Sequence, residues 1–465
     1  MSGRETLAVV REPLHGEAAW LVGGVIRDRL LGRGPATDID VVLDGDVRGA
    51  ARRLARASGA VAFELSGEFG AWRVVARDHS WQADLNPIRG GSLEADLRLR
   101  DFTINAIAQP IAGGDLVDPL GGVGDLAGRR LRLAAPDAVR ADPLRALRLV
   151  RLACELQLEP DATAAEAARS SAAGLRGVAA ERVFGELKRI VTSERAPAGL
   201  ELAGGLGLTA VVLPELDALG GVEQSRFHHK DVLGHTLEAL TGAIALERDP
   251  AAFVGDAHAE RVRAILAEPL ADDLTRAGGL RLGALMHDIA KPPTRRLTPD
   301  GRVQFRGHDE RGAQMARGIL GRLRTSERLA AHVGALVAEH LRLGFMVKDH
   351  PLSRRAVYRY LDACDGVAVD VTLLSIVDRL ATRGEGAEPA IERHLTVARG
   401  ILGEALRWHA DGRPAPVIRG DRLARELGIE PGPDLGGLLA RLAEAQFAGE
   451  ASTPEAALAL ARLLI

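Results

Sequence analysis

The chain has 465 residues, of which 46% are hydrophobic and 26% charged, and its formal net charge is −3. This length predicts two to four domains, and the balance of residue types excludes a disordered or fibrous chain. Two cysteines, Cys154 and Cys364, exclude a disulfide framework and a cysteine-based zinc site. Residues 102–114 and 202–214 are the longest uncharged runs and are shorter than the ~18 residues of a membrane span, so we expect no membrane contact. Since the N-terminus carries no secretion signal, we expect a cytoplasmic protein.

The predicted elements divide the chain into an α/β head and a long helical body. Alternation and short apolar runs predict strands over residues 19–22, 38–43, 61–65, 71–76 and 81–86, and helices over 25–31 and 47–58. From residue 142 onward, helical periodicity predicts helices over 143–156, 179–190, 232–246, 281–290, 311–323, 329–341, 353–361 and 369–381. Composition predicts linkers over 113–124, 249–279 and 410–416.

Two glycines end the first strand, and two aspartates lie on the second. Gly23 and Gly24 allow the backbone to approach a ligand, and Arg27 in the next helix can neutralise an anion bound there. Asp38 and Asp40 are two residues apart on a strand, so both carboxylates point to one face. They would repel each other unless a divalent cation such as Mg²⁺ lay between them.

A third acid usually completes such a cation site, and Asp84 on the strand over 81–86 is the candidate. The alternative is that Gly-Gly forms an ordinary turn and that Asp-x-Asp lies on a solvated strand edge. The conjunction of the two motifs, with a basic helix between them, favours metal-assisted phosphoryl transfer.

A second group of polar residues surrounds a short turn into a helix. Arg100 is placed to reach a triphosphate, close to Asp101 in the sequence. Asn105 is placed to hold a sugar hydroxyl or the backbone of the turn. This group therefore predicts a nucleotide-binding turn.

An arginine-rich helix begins after Asp142 and Pro143, which are typical of a helix start. Asp142, Arg145 and Arg148 are spaced three apart, so they are neighbours on one side of the helix. An acceptor beside an arginine fork can read the edge of a base. The alternative is an amphipathic helix with a solvated arginine face.

A third group of residues lies in the helical body, in the order His…His-Asp…Asp. Its members are His235, His287, Asp288, His308, His340 and Asp378. This order resembles the HD-family phosphohydrolases and suits one or two transition-metal or Mg²⁺ ions that activate a water. The alternatives are histidines that serve packing alone, or an HD fold that serves as a scaffold without hydrolysis.

Longer stretches follow one another in the order LVGGVIRDRLLGRGPATDID, LRDFTINAIA, DPLGG, ADPLRALRLVRLA and ERVFGELKRI. With these motifs the chain resembles the class II tRNA nucleotidyltransferases, which are the CCA-adding enzymes and their bacterial poly(A) polymerase relatives. The resemblance covers nearly the whole chain. It implies an α+β fold, with a polymerase-β-like nucleotidyltransferase head over residues 1–140 and a helical neck over 141–225. An HD-type helical domain over 226–395 and a helical tail over 396–465 would follow.

The resemblance also implies roles for individual residues. Asp38 and Asp40 would be catalytic carboxylates that bind Mg²⁺. Contacts with the nucleotide are implied for Gly24, Arg27, Arg100, Asp101, Asn105, Asp142, Arg145 and Arg148, among which Asp142 and Arg145 would pair with the base edge. Two positions depart from the family pattern, since many members have Glu where this chain has Ala141 and Arg where it has Leu99.

The implied activity is the addition of C, C and A to the 3′ end of tRNA from CTP and ATP, with Mg²⁺ and without a nucleic-acid template. Alternatives are a poly(A) polymerase, an enzyme that adds only A or only CC, and an HD phosphohydrolase with a regulatory nucleotide-binding head. Residues 395–465 carry eight basic and nine acidic side chains, a net charge of −1, which disfavours the poly(A) polymerase. We expect the tRNA acceptor arm as partner, and a monomer or a homodimer.

Overall fold

The computed structural model describes residues 3–34, 37–67, 69–224, 228–384 and 386–465. The chain divides into two compact units, Met1–Val212 and Leu213–Ile465. The predicted α+β fold class is confirmed, because one mixed sheet lies near the N-terminus and helices form most of the remainder. The boundary predicted between residues 225 and 226 lies outside the described residues. None of the helices among the described residues is long and apolar enough to cross a membrane.

The first unit contains a six-stranded sheet with the order β3-β4-β5-β2-β1-β6. Its strands are β1 (Ala19–Val22), β2 (Asp38–Leu43), β3 (Val61–Ser66), β4 (Ala71–Val75), β5 (Gln82–Pro87) and β6 (Ala108–Pro110). β2 and β5 run parallel, and the other neighbouring strands run antiparallel. Two further short strands, β7 (Arg130–Leu131) and β8 (Glu159–Pro160), form a parallel pair. The bounds predicted for β1 and β2 are confirmed.

The helices of the first unit include those predicted after β1 and β2. They are α1 (Gly3–Arg11), α2 (Gly24–Leu30), α3 (Val47–Ser58), α4 (Leu93–Arg98), α5 (Gly122–Ala127), α6 (Ala138–Ala141), α7 (Leu144–Leu156), α8 (Ala162–Ser170), α9 (Ala180–Thr192), α10 (Ala196–Gly205) and α11 (Thr209–Val212). α7 packs against α9 and α10 and buries its apolar face between them. A short 3₁₀ turn, Thr103–Asn105, stands where the sequence predicted a turn into a helix.

One face of β3, β4 and β5 is covered by a helix, and the opposite face of these strands is open. Toward β1 the second face is covered as well, since Val22 and Val42 lie on it and are buried. α3 packs on β3, β4 and β5, and Arg48 lies over the ring of Trp72. Because strand side chains alternate between faces, Val74 shares the covered face with Trp72 and is fully buried. Arg73 and Asp84 point to the opposite face, where they bond to each other. The open face therefore carries the polar side chains.

The second unit is almost entirely helical. Its helices are α12 (Pro214–Asp217), α13 (Val232–Arg248), α14 (Pro250–Val254), α15 (Asp256–Leu266), α16 (Arg276–Met286), α17 (Lys291–Thr294), α18 (His308–Arg322), α19 (Glu327–Glu339), α20 (Arg342–Met346), α21 (Arg354–Ala363), α22 (Ala368–Leu380), α23 (Ala387–Asp411), α24 (Gly420–Leu427), α25 (Pro433–Ala448) and α26 (Pro454–Leu464). Two short hairpins pair β9 (Pro269–Ala271) with β10 (Leu274–Thr275), and β11 (Arg296–Leu297) with β12 (Val303–Gln304).

The linker predicted over residues 249–279 is wrong. This stretch contains α14, α15, the β9–β10 hairpin and the start of α16. Ala259, Val262 and Leu266 recur at helical spacing and are buried, so an apolar stripe defines α15 despite the charged residues around it. The helix predicted over 281–290 begins five residues earlier, at Arg276, and ends at Met286.

The DPLGG motif shapes the turn into α5. The Asp118 carboxylate accepts hydrogen bonds from the backbone N–H groups of Gly122 (2.7 Å) and Val123 (2.9 Å). A Cβ at Gly122 would lie 2.2 Å from the carbonyl oxygen of Thr103, which is a backbone atom that cannot swing away. Glycine is therefore required at this position by close backbone approach.

We expect Gly122→Ala to lower the midpoint of thermal unfolding, because overpacking against backbone costs ~1–3 kcal/mol. Gly124→Ala is the matched control, since it lies in the same helix and has open space where its Cβ would stand. The midpoints are measured by differential scanning calorimetry. Equal midpoints for the two variants would contradict the close contact with Thr103.

Candidate functional site

Two aspartates on β2 face a third acid on the neighbouring strand. Asp40 and Asp84 are direct partners in the parallel β2–β5 register, and Asp38 is the partner of Gln82. The Gln82 amide donates a hydrogen bond to Asp38 Oδ1 at 3.1 Å. Arg73 on β4 donates two hydrogen bonds to the Asp84 carboxylate, at 2.6 and 2.7 Å. The three predicted acids therefore share the open face, and Asp84 is held by an arginine.

The charges of these acids act on Asp40. Burial raises the pKa of the Asp40 carboxyl to about 6; the cation of Arg100 opposes this shift, while Asp38, Asp84 and Asp101 add to it. Carboxylate oxygens that disfavour one another's ionisation are a donor set that suits a hard divalent cation such as Mg²⁺. The chemistry of the residues present therefore fits the metal that the sequence motif implies.

Gly23 brings backbone close to these acids. It precedes α2 with a φ of 74°, in the region that favours glycine. A Cβ at this position would lie 3.2 Å from Nη1 of Arg100 and 3.3 Å from Oδ2 of Asp40. A larger residue would push the arginine and the carboxylate apart. Glycine at this position therefore allows both groups to lie close to the backbone and to each other.

A continuous chain of hydrogen bonds links the predicted nucleotide-binding residues. Arg27 donates to Asn105 Oδ1 (2.6 Å), and the Asn105 amide donates to Asp101 Oδ1 (3.0 Å). Arg148 donates to Asp101 Oδ2 (3.0 Å) and, through Nε, to Glu186 Oε1 (3.0 Å). Burial opposes ionisation of Asp101, but the charge and hydrogen bond of Arg148 keep the pKa of that carboxyl below its usual value. This chain fixes the orientation of four predicted site residues.

A cavity of about 480 Å³ lies beside this chain. The predicted residues in its lining are Gly23, Gly24, Arg27, Asp38, Asp40, Arg100, Asp101, Asn105 and Arg148. Sequence reasoning missed the other lining residues, which are Val25, Asp28, Arg33, Gly34, Thr37, Arg151 and Arg189. Several arginines facing two aspartates suit a polyphosphate together with a cation.

The predicted base-reading residues lie outside the cavity lining. The Asp142 carboxylate accepts a hydrogen bond from Arg182 on α9 at 2.8 Å. Arg145 donates to the backbone carbonyls of Leu99 (3.0 Å) and Arg100 (3.2 Å), and so ties α7 to the turn before Asp101. Its buried Nε has no hydrogen-bond partner among the described residues. The Asp142 carboxylate also accepts a hydrogen bond from the backbone N–H of Leu144 at 3.2 Å, so it contacts both the start of α7 and another helix.

Several residues that hold the site were missed from the sequence. The side chains of Arg73 and Gln82 lie on the same face of the sheet as the aspartates. Strand alternation alone does not reveal this, because only the order of the strands makes these residues neighbours. Glu186 lies within the motif ERVFGELKRI, and its position in that motif was the available signal. The residues that sequence reasoning missed and that form hydrogen bonds with predicted site residues are Arg73, Gln82, Asp96, Arg182 and Glu186.

In the second unit, the structure brings all six predicted histidines and aspartates together. They form two groups, in each of which one ligand atom per residue lies within 4.8 Å of the others. The groups are His235, His287 and Asp378, and Asp288, His308 and His340. His287 Nε2 lies 3.3 Å from His235 Nε2 and 3.2 Å from Asp288 Oδ2, so the two groups adjoin.

Backbone carbonyls orient the four histidines. Each Nδ1 faces a carbonyl oxygen: Ala381 for His235 (3.4 Å), Ala284 for His287 (2.8 Å), Phe305 for His308 (2.7 Å) and Val337 for His340 (2.7 Å). Each Nε2 is thereby left for the centre of the cluster, which is the arrangement that metal-binding histidines show. The Nε2 of His340 is buried and has no hydrogen-bond partner among the described residues. Nitrogen and carboxylate donors of this kind fit a transition metal.

Burial and neighbouring charges shift the pKa values of the histidines in this cluster. Burial lowers the pKa of His340 to about 4, which keeps its imidazole neutral. Burial also disfavours the charged form of His287, but Asp288 and Asp378 raise its pKa to about 9. Lys291, a residue missed from the sequence, lies 2.6 Å from Asp288 Oδ2. Asp288 is therefore ionised and surrounded by donors.

A cavity of about 710 Å³ opens onto this cluster. Its cationic side chains suit a phosphate group, and they are Lys291, Arg306, Arg379 and Arg393. Nε of Arg379 is buried without a hydrogen-bond partner among the described residues. The second site thus combines candidate metal ligands with cations for an anionic substrate.

Three family models match the chain. The Poly A polymerase head domain matches residues 19–132, the probable RNA and SrmB-binding site of polymerase A matches 157–219, and the HD domain matches 255–381. Nucleotidyltransferase heads and HD domains are metal-dependent families, which agrees with the two groups of candidate ligands. The head match contains the three acids of the sheet, and the HD match contains His287, Asp288, His308, His340 and Asp378, whereas Asp142, Arg145, Arg148 and His235 lie between the matched regions.

Relatives cover almost the whole chain. The A-adding tRNA nucleotidyltransferase of Deinococcus radiodurans is 37% identical over 94% of this chain and 94% of its own. The CC-adding tRNA nucleotidyltransferase of Thermus thermophilus is 35% identical over 94% and 92%. The structure of a CCA-adding enzyme complexed with ATP has the same fold, with 17% identity, a TM-score of 0.66 and coverage of 99% and 95%. The chain therefore belongs to the class II tRNA nucleotidyltransferases, the family of CCA-adding enzymes and their bacterial poly(A) polymerase relatives, and it carries an HD domain.

Proposed function

We propose that this enzyme adds C, C and A to the 3′ end of tRNA, using CTP and ATP and releasing pyrophosphate, without a nucleic-acid template. The observation that carries the proposal is the pair Asp38 and Asp40 at an arginine-lined cavity. The match of residues 157–219 to an RNA-binding model supports RNA as the acceptor. The two free, buried cysteines support a reducing, cytoplasmic setting for the reaction.

Each group of residues in the head has a task in this reaction. Asp38 and Asp40 would hold Mg²⁺, which would supply charge neutralisation for the attacking and leaving oxygens. Arg27 and Arg100 bind the phosphates, and Arg73 holds the Asp84 carboxylate in place through two hydrogen bonds. The 3′ oxygen of the RNA forms a bond to the α-phosphorus as the bond to the pyrophosphate oxygen breaks. Positioning and electrostatic stabilisation supply most of the rate.

In the absence of a template, hydrogen-bonding side chains select the base. We assign this task to Asp142 and Arg145, in agreement with the family motif. The bond from Arg182 fixes the Asp142 carboxylate, and hydrogen bonds to the backbone carbonyls of Leu99, Arg100 and Ala138 fix the guanidinium of Arg145. A fixed acceptor beside a fixed donor distinguishes the edges of C and A from those of other bases.

A partial activity is the second candidate for the head. The relatives described above add either A alone or CC alone, and the chain is similar to both, at 37% and 35% identity. The carboxylates and phosphate contacts would serve addition of CCA, of A alone and of CC alone equally well. Only a direct assay of the product therefore distinguishes these activities.

The test is extension of a tRNA transcript that ends before the CCA sequence, with Mg²⁺ and CTP, ATP or both. With both nucleotides we expect a three-nucleotide extension that then stops. Asp40→Asn is expected to reduce the rate at least 1,000-fold, on the order of the loss of a major transition-state contact. The control is Asp44→Asn, an exposed acid just beyond β2, which keeps wild-type activity.

Other products would change the assignment. An extension that stops after two Cs, or addition of A alone to a transcript that ends in CC, would make the enzyme a partial one. A long ladder of A residues would make it a poly(A) polymerase. If the wild type extended no tRNA end, the head would not be a working transferase on this substrate.

We also propose that the HD domain hydrolyses phosphoesters with a transition metal or Mg²⁺. The supporting observation is the convergence of four histidine Nε2 atoms and two carboxylates beside a cavity lined with cations. The bound metal would supply an activated water. His340 and Asp288 would help to hold it, and Lys291 would neutralise the phosphate.

We expect purified enzyme loaded with Ni²⁺, Co²⁺ or Mg²⁺ to hydrolyse p-nitrophenyl phosphate or its bis-ester. His340→Asn is expected to lower metal content and hydrolysis at least tenfold while leaving nucleotide addition unchanged. The matched control is His15→Asn, an exposed histidine. Metal content is measured by elemental analysis. Bound metal without hydrolysis of either ester would leave the domain as a scaffold.

A further inference from the structure

The open face of the sheet extends beyond the carboxylates to the edge strand β3. In the strand register, Asp40 is paired with Asp84, Asp84 with Arg73, and Arg73 with Phe63. Paired residues on neighbouring strands point to the same face, and the bond between Arg73 and Asp84 agrees with this. Phe63 therefore lies in one row with the carboxylates, at the far end of the sheet.

A second row runs parallel to the first. Asp38 is paired with Gln82, Gln82 with Val75, and Val75 with Val61. The hydrogen bond between Gln82 and Asp38 shows that this row faces the same side. Both rows thus begin at a predicted metal-binding aspartate and end at an apolar residue of β3.

The two apolar ends of the rows are exposed to solvent. Val61 is 47% exposed and Phe63 is 45% exposed. Large apolar side chains on an open edge strand promote association, so proteins usually cover them or replace them with charge. An exposed apolar pair beside an active site is instead typical of a ligand contact. We call Val61 and Phe63 the stacking surface.

The position of the nucleotide decides which ligand reaches this surface. Gly23 follows β1, and Arg27 and Arg100 lie with it on the β1 side of β2. The proposed phosphate contacts of Arg27 and Arg100 therefore put the triphosphate, and with it the leaving pyrophosphate, on that side. An in-line displacement requires the attacking oxygen to arrive opposite the leaving group. The 3′ end of the RNA therefore approaches over β5, β4 and β3.

We propose that the stacking surface binds the unpaired bases at the 3′ end of the RNA substrate; this inference rests on the function proposed above. Three strand spacings separate Asp40 from Phe63, about 14 Å. The surface thus contacts nucleotides behind the reacting one. Stacking on an aromatic ring tolerates every base, which suits an end that changes with each addition. Phe63 therefore binds the RNA end behind the reacting nucleotide and does not touch the reacting atoms.

The first test compares steady-state kinetics of Phe63→Ala with the wild type on the transcript that ends before CCA. We expect KM for the RNA to rise on the order of tenfold, as for the loss of one stacked base, while KM for CTP and kcat stay within about twofold. Phe63→Trp is expected to restore the wild-type KM. Val123→Ala, which truncates an exposed apolar side chain in α5, is the matched control.

A second readout needs no catalysis. A transcript with 2-aminopurine next to its 3′ terminal nucleotide is titrated with enzyme in the absence of CTP and ATP. Wild-type enzyme and Val123→Ala are expected to quench its fluorescence by stacking, and Phe63→Ala is expected to lose most of this quenching. Because this titration is independent of nucleotide addition, it separates failure of the stacking surface from failure of the proposed function.

Two outcomes would overturn the inference. One is a Phe63→Ala variant with an unchanged KM for RNA and full quenching, its fold being verified by an unchanged midpoint of thermal unfolding. The other is a variant whose only change is dissociation of an oligomer in sedimentation, which would make the surface an interface between two copies of the chain.

Discussion

The buried carboxylate of Asp40 is the group around which the head is arranged. A carboxylate removed from water and placed beside other acids resists ionisation, and its pKa of about 6 reflects this cost. The neighbouring acids are bound by cations of their own, since Arg73 bonds to Asp84 and Arg148 bonds to Asp101. These pairings leave the carboxylates of Asp38 and Asp40 as the ones that a bound cation can stabilise. The strand order, the glycine turn and the arginines of the cavity all serve this concentration of charge.

In the second unit, the ends of helices orient the histidines of the candidate metal site. His287 and His340 directly follow α16 and α19, where the last carbonyls of a helix have no helical partner. Each histidine donates Nδ1 to the carbonyl three residues before it, and His308 at the start of α18 does the same. The helix ends therefore fix the tautomer and direction of the rings. The direction in which these Nε2 atoms point therefore follows from hydrogen bonds to the local backbone.

Local features of the site could be predicted from the sequence, and contacts between distant elements could not. Alternation along β2 places Asp38 and Asp40 on one face, and the order of the His and Asp residues predicted the cluster that the structure brings together. The partner of Asp142 was not predictable, because Arg182 lies on another helix whose packing angle no local pattern specifies. The linker predicted over residues 249–279 was based on composition, which does not report periodicity. The apolar stripe of α15, which lies among charged residues, was therefore missed.

The relatives of this chain add A, CC or, by the name of the solved structure, CCA, although they share one fold. Metal-binding carboxylates and phosphate contacts do not touch the base, so they cannot determine which nucleotides, or how many, are added. In this head, the residues proposed for base choice are Asp142, which lies just before α7, and Arg145 in α7, whereas the exposed apolar pair lies on the edge strand β3. Base choice needs hydrogen bonds of fixed direction, and a growing RNA end needs a contact that accepts any base. In the arrangement that we propose, separate contacts for the nucleotide and for the RNA end let one site be selective for the nucleotide and tolerant of the primer.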